Sequence, residues 1–99
     1  SEEYYAKAVQ VRASARALLG KLKIAEERVR FYARTLLPLQ SQIVQEFQKQ
    51  YNGMLISPFQ LLSAKRDQIE TGGQYVESLR EYWMIRTQLE LLVSGVQLL

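Results

Sequence analysis

The first half of the chain carries apolar side chains at spacings that alternate between four and three residues. The pattern runs without a break from Val11 to Ile43, which is more than four heptads. Its positions are Val11, Ala15, Leu18, Leu22, Ala25, Val29, Tyr32, Leu36, Leu39 and Ile43. A repeat of this length is typical of a helix that packs along one seam against another helix. We therefore predict a long coiled-coil helix over about residues 2–52.

The second half carries a broader apolar pattern. One set of apolar residues recurs every seven positions, at Leu62, Ile69, Val76 and Trp83. Further apolar residues fill adjacent positions, namely Tyr75, Leu79, Tyr82, Leu89, Leu92 and Val96. A wide stripe of this kind indicates contact with more than one neighbouring helix. We predict a second helix over about residues 58–96, in which the aromatic side chains serve packing rather than cofactor binding.

The residues between the two patterns predict a short turn. Gly53 is suited to the left-handed conformation that ends many helices. Ser57 is a favourable N-cap, and Pro58 follows at the first helical position, where its missing N–H is tolerated. Gln60 lies three residues after Ser57 and completes a capping box. Helix two is therefore expected to begin near Pro58.

A short turn makes the two helices antiparallel neighbours. Ile56 and Leu61 stand in the positions of a hydrophobic staple across the N-cap. Folding the chain about residues 55–56 also places apolar positions opposite each other, for example Leu36 and Val76. The predicted fold is all-α, a long antiparallel two-helix coiled-coil hairpin. Since a two-helix hairpin has no closed core, we expect it to pack with other hairpins.

Two irregularities lie at the same height of the predicted hairpin. Pro38 removes a backbone donor and is expected to kink helix one. Gly72 and Gly73 weaken helix two by roughly 1 kcal/mol each relative to Ala. Two interpretations remain open: tolerated irregularities, or a coordinated bend in which the glycines make room for a partner helix.

Composition narrows the range of functions. Hydrophobic residues make up 47% of the chain and charged residues 23%, as in ordinary folded domains. The chain has no Cys and no His, so Cys nucleophiles, His bases and zinc fingers are excluded. The carboxylates lie at helical spacing beside Arg and Lys, which is typical of surface ion pairs. We predict no catalytic residues, no metal site and no cofactor, and hence no enzyme.

The charge is uneven along the chain. The net charge is +3, and most of the basic residues belong to the first helix. Seven of them could form a patch on that helix, namely Arg12, Arg16, Lys21, Lys23, Arg28, Arg30 and Arg34. A basic patch can bind nucleic acid or an anionic membrane, but no compact recognition module accompanies this one. We therefore interpret it as a solvated helix face and predict no nucleic-acid partner.

The turn and the second helix carry a family resemblance. The segment "YNGMLISPFQLLSAKRDQIETGGQYVESLREYWMIRTQLELLVSG", residues 51–95, resembles the closing segment of TolC-type outer-membrane efflux proteins. The preceding "ARTLLPLQSQIVQEFQKQYNGM", residues 33–54, is similar to the same family, with its Leu-Pro a few turns ahead of the Tyr. The segment "YNGMLIS" is most similar to that of a subgroup associated with heavy-metal or copper handling. The resemblance is looser over residues 1–32.

The resemblance implies a function in export. Such proteins are trimers whose paired helical hairpins form a periplasmic tunnel below an outer-membrane β-barrel. Residues 1–99 would be a single hairpin, the second of one subunit, and thus a fragment of a larger channel subunit in the periplasmic part of the Gram-negative envelope. Its tip would dock a periplasmic adaptor, which connects the channel to an inner-membrane pump. The membrane would be reached only through parts of the subunit outside this chain.

The resemblance also assigns residues. The adaptor-docking tip would comprise Asn52, Gly53, Met54, Leu55, Ile56 and Ser57. In the family, acidic residues at the start of the second helix often ring the closed aperture. Here the corresponding candidates are Gln60, Ser63 and Asp67, of which only Asp67 is acidic. An aperture lined by these side chains would close by packing and amide hydrogen bonds rather than by a ring of carboxylates.

Two other interpretations of the hairpin are compatible with its sequence. One is a free-standing coiled-coil module that self-associates as an antiparallel four-helix bundle; the isolated chain would then be a dimer. The other is an amphipathic helix pair lying on a membrane. Its heptad-like seam and mixed charges make the membrane-bound pair the less favoured of the two.

Overall fold

The computed structural model describes residues 2–97 as an antiparallel helical hairpin. The first arm comprises α1 (Glu2–Phe31), a π-helical turn (Tyr32–Leu36) and α2 (Leu37–Asn52); the second arm is α3 (Pro58–Gln97). Within residues 2–97 there is no strand. The backbone measures 77 × 16 × 14 Å. The predicted all-α hairpin is confirmed, and the bounds of both arms agree with the prediction to within one residue.

The two arms meet along an inner seam that repeats every seven residues in α3. Its side chains are buried or half-buried and are spaced by three and four residues. They are Leu61, Ala64, Gln68, Thr71, Tyr75, Ser78, Tyr82, Ile85, Leu89 and Leu92. The facing seam of α1 follows the predicted positions from Val11 to Val29. The most buried apolar positions where the arms meet include two small side chains, Ala25 of α1, which is 3% exposed, and Ala64 of α3, which is 4% exposed.

The first arm departs from a regular α-helix just before Pro38. Over Tyr32–Leu36 the helix is of the π type, and the N–H of Leu37 donates to the carbonyl of Tyr32, five residues earlier. Pro38 has no N–H, and in a regular α-helix its ring would clash with the carbonyl four residues before it. The wider π turn relieves that clash by accommodating one additional residue.

The additional residue changes the register of the inner seam. Beyond Leu36 the inward position falls on Gln40 rather than Leu39. Leu39 is 47% exposed, so its predicted place in the seam is wrong. Ile43 remains half-buried, because the seam of α2 is wider than that of α1. Pro38 thus shifts the phase of the helix.

The second arm stays helical at the level of Pro38. There α3 continues through Gly72 and Gly73 without interruption. The kink expected at Pro38 stays a prediction.

The seven-residue repeat of the second half lies on the outside of the hairpin. Leu62, Ile69, Val76 and Trp83 are all exposed, Ile69 by 76%. Val76 therefore does not pack against Leu36 as the simple folding of the sequence predicted. We call these four residues the outer stripe. Position by position they are larger and more apolar than much of the inner seam, which includes Gln68, Thr71 and Ser78.

Candidate functional site: the hairpin tip and its flanks

The first arm ends in a hydrogen-bonded Schellman motif. The N–H of Leu55 donates to the carbonyl of Gln50 at 2.8 Å, and the N–H of Met54 donates to that of Tyr51 at 3.0 Å. In this motif a left-handed backbone is found at the residue that donates the shorter-range bond, here the bond to the carbonyl of Tyr51. That residue is Met54, with φ of 62°, whereas Gly53 has φ of −84°. The predicted left-handed Gly53 is thus wrong by one position.

The second arm begins with the predicted capping box. The N–H of Ser57 donates to Oε1 of Gln60 at 3.0 Å, and the N–H of Gln60 donates to Oγ of Ser57 at 3.4 Å. Pro58 occupies the first helical position. Leu61 is buried and Ile56 half-buried, which is the burial that a hydrophobic staple requires. Both ends of the turn are therefore fixed by backbone and side-chain hydrogen bonds.

The fixed turn presents apolar side chains to solvent. Met54 is 92% and Leu55 78% exposed. Ile56 is half-buried, and the predicted tip residues Asn52, Gly53 and Ser57 are exposed. The structure adds Phe59, 82% exposed in the first turn of α3, which the sequence analysis left out of the tip. Its position one residue after the proline was the signal, since the first turn of a helix borders the loop.

The three candidate aperture residues share one flank of α3. Gln60, Ser63 and Asp67 are exposed and are spaced by three and four residues, so they lie above one another on the helix surface. Oε1 of Gln60 accepts the bond from Ser57 and belongs to the cap. The NH₂ group of Gln60, the Ser63 hydroxyl and the Asp67 carboxylate are the polar groups that this flank offers near the tip.

Farther from the tip, the same flank contains a groove between α1 and α3. Its volume is about 1300 Å³, and Ile24, Met84 and Glu77 are among its lining residues. Arg28 and Glu81 form an ion pair across the two helices at 2.9 Å, with both side chains about half exposed. Above them, the hydroxyl of Tyr32 donates to Oε1 of Gln74 at 3.4 Å. These contacts show which flank of α1 faces which flank of α3.

Ion pairs within each helix accompany this contact. Glu26 pairs with Arg30, and Glu90 pairs with Arg86 at 3.3 Å, while Arg86 also lies 5.0 Å from the ring centroid of Trp83. All these charged groups are exposed, as predicted for surface pairs. In the part of the chain that the structure describes, no three acidic side chains come together as a metal-binding group. Over the same residues, neither arm contains a stretch apolar enough to cross a bilayer.

Comparison of the chain with protein-family models, with curated proteins and with solved structures finds no match. The resemblance to TolC-type efflux proteins therefore stays a prediction from the residues of the turn and of α3.

Proposed function

We propose that this chain is a segment of the periplasmic α-helical tunnel of a trimeric outer-membrane efflux channel. Its turn docks a periplasmic adaptor, which joins the channel to an inner-membrane pump in a tripartite export system. The chain is then one hairpin of a larger subunit. The resemblance of residues 51–95 supplies the family, and the geometry of the tip supplies the physical support.

The observation that carries the proposal is an apolar tip held in a fixed conformation. Loop tips of soluble proteins are usually polar and mobile, whereas contiguous exposed apolar groups mark interaction sites. Here the Schellman motif and the capping box hold Met54, Leu55 and Phe59 in place before any partner arrives. A preorganised surface loses less conformational entropy on binding than a flexible one.

The rod shape is suited to the same role. An arm of 40 residues is about 60 Å long, so the tip lies far from the open end of the hairpin. The area of one tip is small, and a contact of this size is weak by itself. Repetition of the tip around a trimeric ring raises the effective concentration and makes the combined attachment strong.

Near the tip, the aperture would be lined by amide, hydroxyl and only one carboxylate. Gln60 and Ser63 stand where the family often has acidic residues. We propose that an aperture formed here closes through packing and amide hydrogen bonds, with Asp67 as the nearest charge. A cation bound by a ring of carboxylates is not required by this arrangement.

The tip can be tested in the full-length protein in cells. Met54→Asp combined with Leu55→Asp places two charges on the docking surface without altering either helix. We expect loss of crosslinking between the tip and an adaptor, together with loss of export. Gln42→Asp with Gln45→Asp is the matched control, since it adds the same charge at exposed positions of α2. Unchanged crosslinking and export in the tip variant would contradict the proposal.

The second candidate function is a free-standing coiled-coil interaction module. The exposed outer stripe favours it, because large apolar residues on the outside of a two-helix rod need a cover. The full reading frame separates the two candidates. An efflux subunit requires β-strand segments and a second, weakly similar hairpin, while a free-standing module requires neither.

A further inference from the structure

The two flanks of the hairpin differ in charge. The positions of each arm are counted from a seam residue, Leu22 in the first arm and Leu61 in the second, in repeats of seven. Residues one and four positions after the start of each repeat lie on one flank of the hairpin. We call it the stripe face, because it contains the outer stripe. Residues two and six positions after the same repeats lie on the opposite flank. We call it the groove face, and the Arg28–Glu81 pair joins its two arms.

The stripe face is basic and the groove face is acidic over the paired part of the arms, residues 8–36 and 60–95. The stripe face carries six basic side chains and two acidic ones, a net charge of +4. They are Arg12, Arg16, Lys23, Arg30, Lys65 and Arg86, with Glu26 and Glu90. The groove face carries two basic and four acidic side chains, a net charge of −2. They are Lys21 and Arg28, with Asp67, Glu70, Glu77 and Glu81.

The outer stripe and the groove also match in length and in chemistry. From Ile69 to Trp83 the stripe spans about 21 Å at 1.5 Å per residue. On α3 the groove extends from Glu70 to Gln88, or about 27 Å by the same rise. Ile24 and Met84 supply apolar surface in the groove, and both are more than half exposed. Arg80 lies at its outer edge, 3.9 Å from Glu77.

The chain exposes more surface than a compact monomer of the same mass. The accessible surface is 7953 Å². A compact monomer of 11.5 kDa would expose roughly 5,800 Å². The excess is about 2,100 Å² per copy. Two interfaces of standard size, each burying about 800 Å² on each partner, would remove about 1,600 Å² of it.

We propose that the stripe face of one copy of this chain seats in the groove face of a second copy. Ile69, Val76 and Trp83 enter the groove beside Ile24 and Met84. The basic side chains that border the stripe, among them Lys65 and Arg86, then face the acidic side chains of the groove face, among them Glu70 and Glu77. Opposite charge steers the two faces together and disfavours other pairings. The proposal rests on the flanks and does not depend on the export function of the tip.

The charge distribution selects this arrangement over a symmetric one. Packing stripe face against stripe face would bring two surfaces of net charge +4 together, which costs free energy. Stripe against groove joins +4 to −2. The contact is therefore heterologous: each copy keeps one stripe face and one groove face for the next, and the assembly either closes into a ring or continues.

Sedimentation equilibrium of the 99-residue chain over a wide concentration range tests the proposal. We expect the average mass to rise above 11.5 kDa with concentration, and less so at high salt. Lys65→Glu with Arg86→Glu lowers the net charge of the stripe face from +4 to zero, and Glu70→Lys with Glu77→Lys raises that of the groove face from −2 to +2. Each variant alone should associate at least about tenfold more weakly. An equal mixture of the two should recover the association, because the unaltered stripe face of one variant meets the unaltered groove face of the other.

Matched controls separate the surfaces from general charge effects. Arg34→Glu and Glu27→Lys reverse charges on the side of α1 opposite the inner seam and should leave association unchanged. The tip variant M54D/L55D should also associate like the parent chain, so that failure of this proposal and failure of the docking proposal are distinguishable. Circular dichroism confirms that each variant retains its helical content.

Three results would overturn the proposal. The parent chain could remain monomeric at every concentration. The groove variant E70K/E77K could associate as well as the parent, which would indicate a contact of stripe face with stripe face. Finally, the chain could stay monomeric while binding vesicles of anionic lipid, which would make a membrane the partner of the basic face.

Discussion

The inner seam and the outer stripe of α3 divide the apolar residues of one helix in an unexpected way. The inner seam, which holds the hairpin together, contains Gln68, Thr71 and Ser78 among its apolar members. The outer stripe, which faces solvent, is made of Leu62, Ile69, Val76 and Trp83. The small side chains of the seam let two helices approach closely, while the large ones outside are suited to grip a further helix. This division of side chains suits the outside of the hairpin to packing against a further helix.

The largest contrast is expected between neighbouring positions on the two sides of α3. Ala64→Glu places a carboxylate at a site that is 4% exposed, so it should lower the free energy of unfolding by at least about 3 kcal/mol. Leu62→Glu, two residues away on the outer stripe, should change the stability of the monomer by no more than about 0.5 kcal/mol. Urea unfolding at concentrations where the chain is monomeric measures both. Equal effects would show that the seam is assigned to the wrong positions.

A second contrast concerns the two central residues of the turn. Met54 is left-handed, so Met54→Gly should raise stability by about 1 kcal/mol. Gly53 has an ordinary φ, and a Cβ there would lie 3.5 Å from the carbonyl oxygen of Lys49, which is normal contact. Gly53→Ala should thus be neutral or slightly stabilising. If Gly53 were the left-handed residue, as the sequence predicted, Gly53→Ala would instead destabilise the hairpin and Met54→Gly would not stabilise it. Thermal unfolding of the two variants distinguishes these outcomes.

A third comparison concerns the glycines of α3. Nothing lies within 4 Å of a Cβ built at Gly72 or Gly73. The packing of the single chain therefore does not require glycine at either position. Gly72→Ala should stabilise the monomer by about 0.5–1 kcal/mol through helix propensity. If the same variant weakens self-association, the glycine makes room for a neighbour on the stripe face. Unfolding of dilute samples and sedimentation of concentrated ones separate the two effects.

The smallest effect is expected at the ion pair that joins the arms. Arg28 and Glu81 are about half exposed, and exposed pairs contribute about 0.2–1 kcal/mol. A double-mutant cycle with Arg28→Ala and Glu81→Ala should give a coupling free energy near the lower end of that range. A coupling above about 2 kcal/mol would indicate that this contact, rather than the seam, sets the register of the hairpin.

Local sequence signals predicted the boundaries of the hairpin correctly, because caps act over a few residues. Ser57, Pro58 and Gln60 suffice to start α3, and the structure shows the bonds they imply. Gly53 was misassigned because the sequence does not reveal which residue closes the Schellman motif. Met54 accepts the left-handed position because two backbone bonds around it, from Met54 and Leu55, are made in that geometry.

The assignment of helix faces could not be made from periodicity alone. Two seven-residue repeats coexist in α3, one beginning at Leu61 and the other at Leu62, and the second is the more apolar. Only the phase set by the turn decides which repeat faces the first arm. On that arm, the π turn before Pro38 shifts the seam by one residue, an effect that a regular heptad count does not include.

The docking residues of the tip were predicted from the sequence, and the structure shows that most of them are exposed. Their role in docking remains a proposal, which a binding experiment with an adaptor would test. The groove face and its charge were not predicted, since they need both arms in register. Arg28 of the first arm meets Glu81 of the second only in the folded hairpin.

The fluorescence of Trp83 tests the central claim most directly. It is the chain's single Trp, it belongs to the outer stripe, and it is 54% exposed. In dilute solution its emission should be that of a water-exposed indole. As concentration rises, the emission should shift to shorter wavelength in parallel with the average mass. An emission maximum that stays constant while the mass increases would show that copies associate through another surface and would contradict the role assigned to the outer stripe.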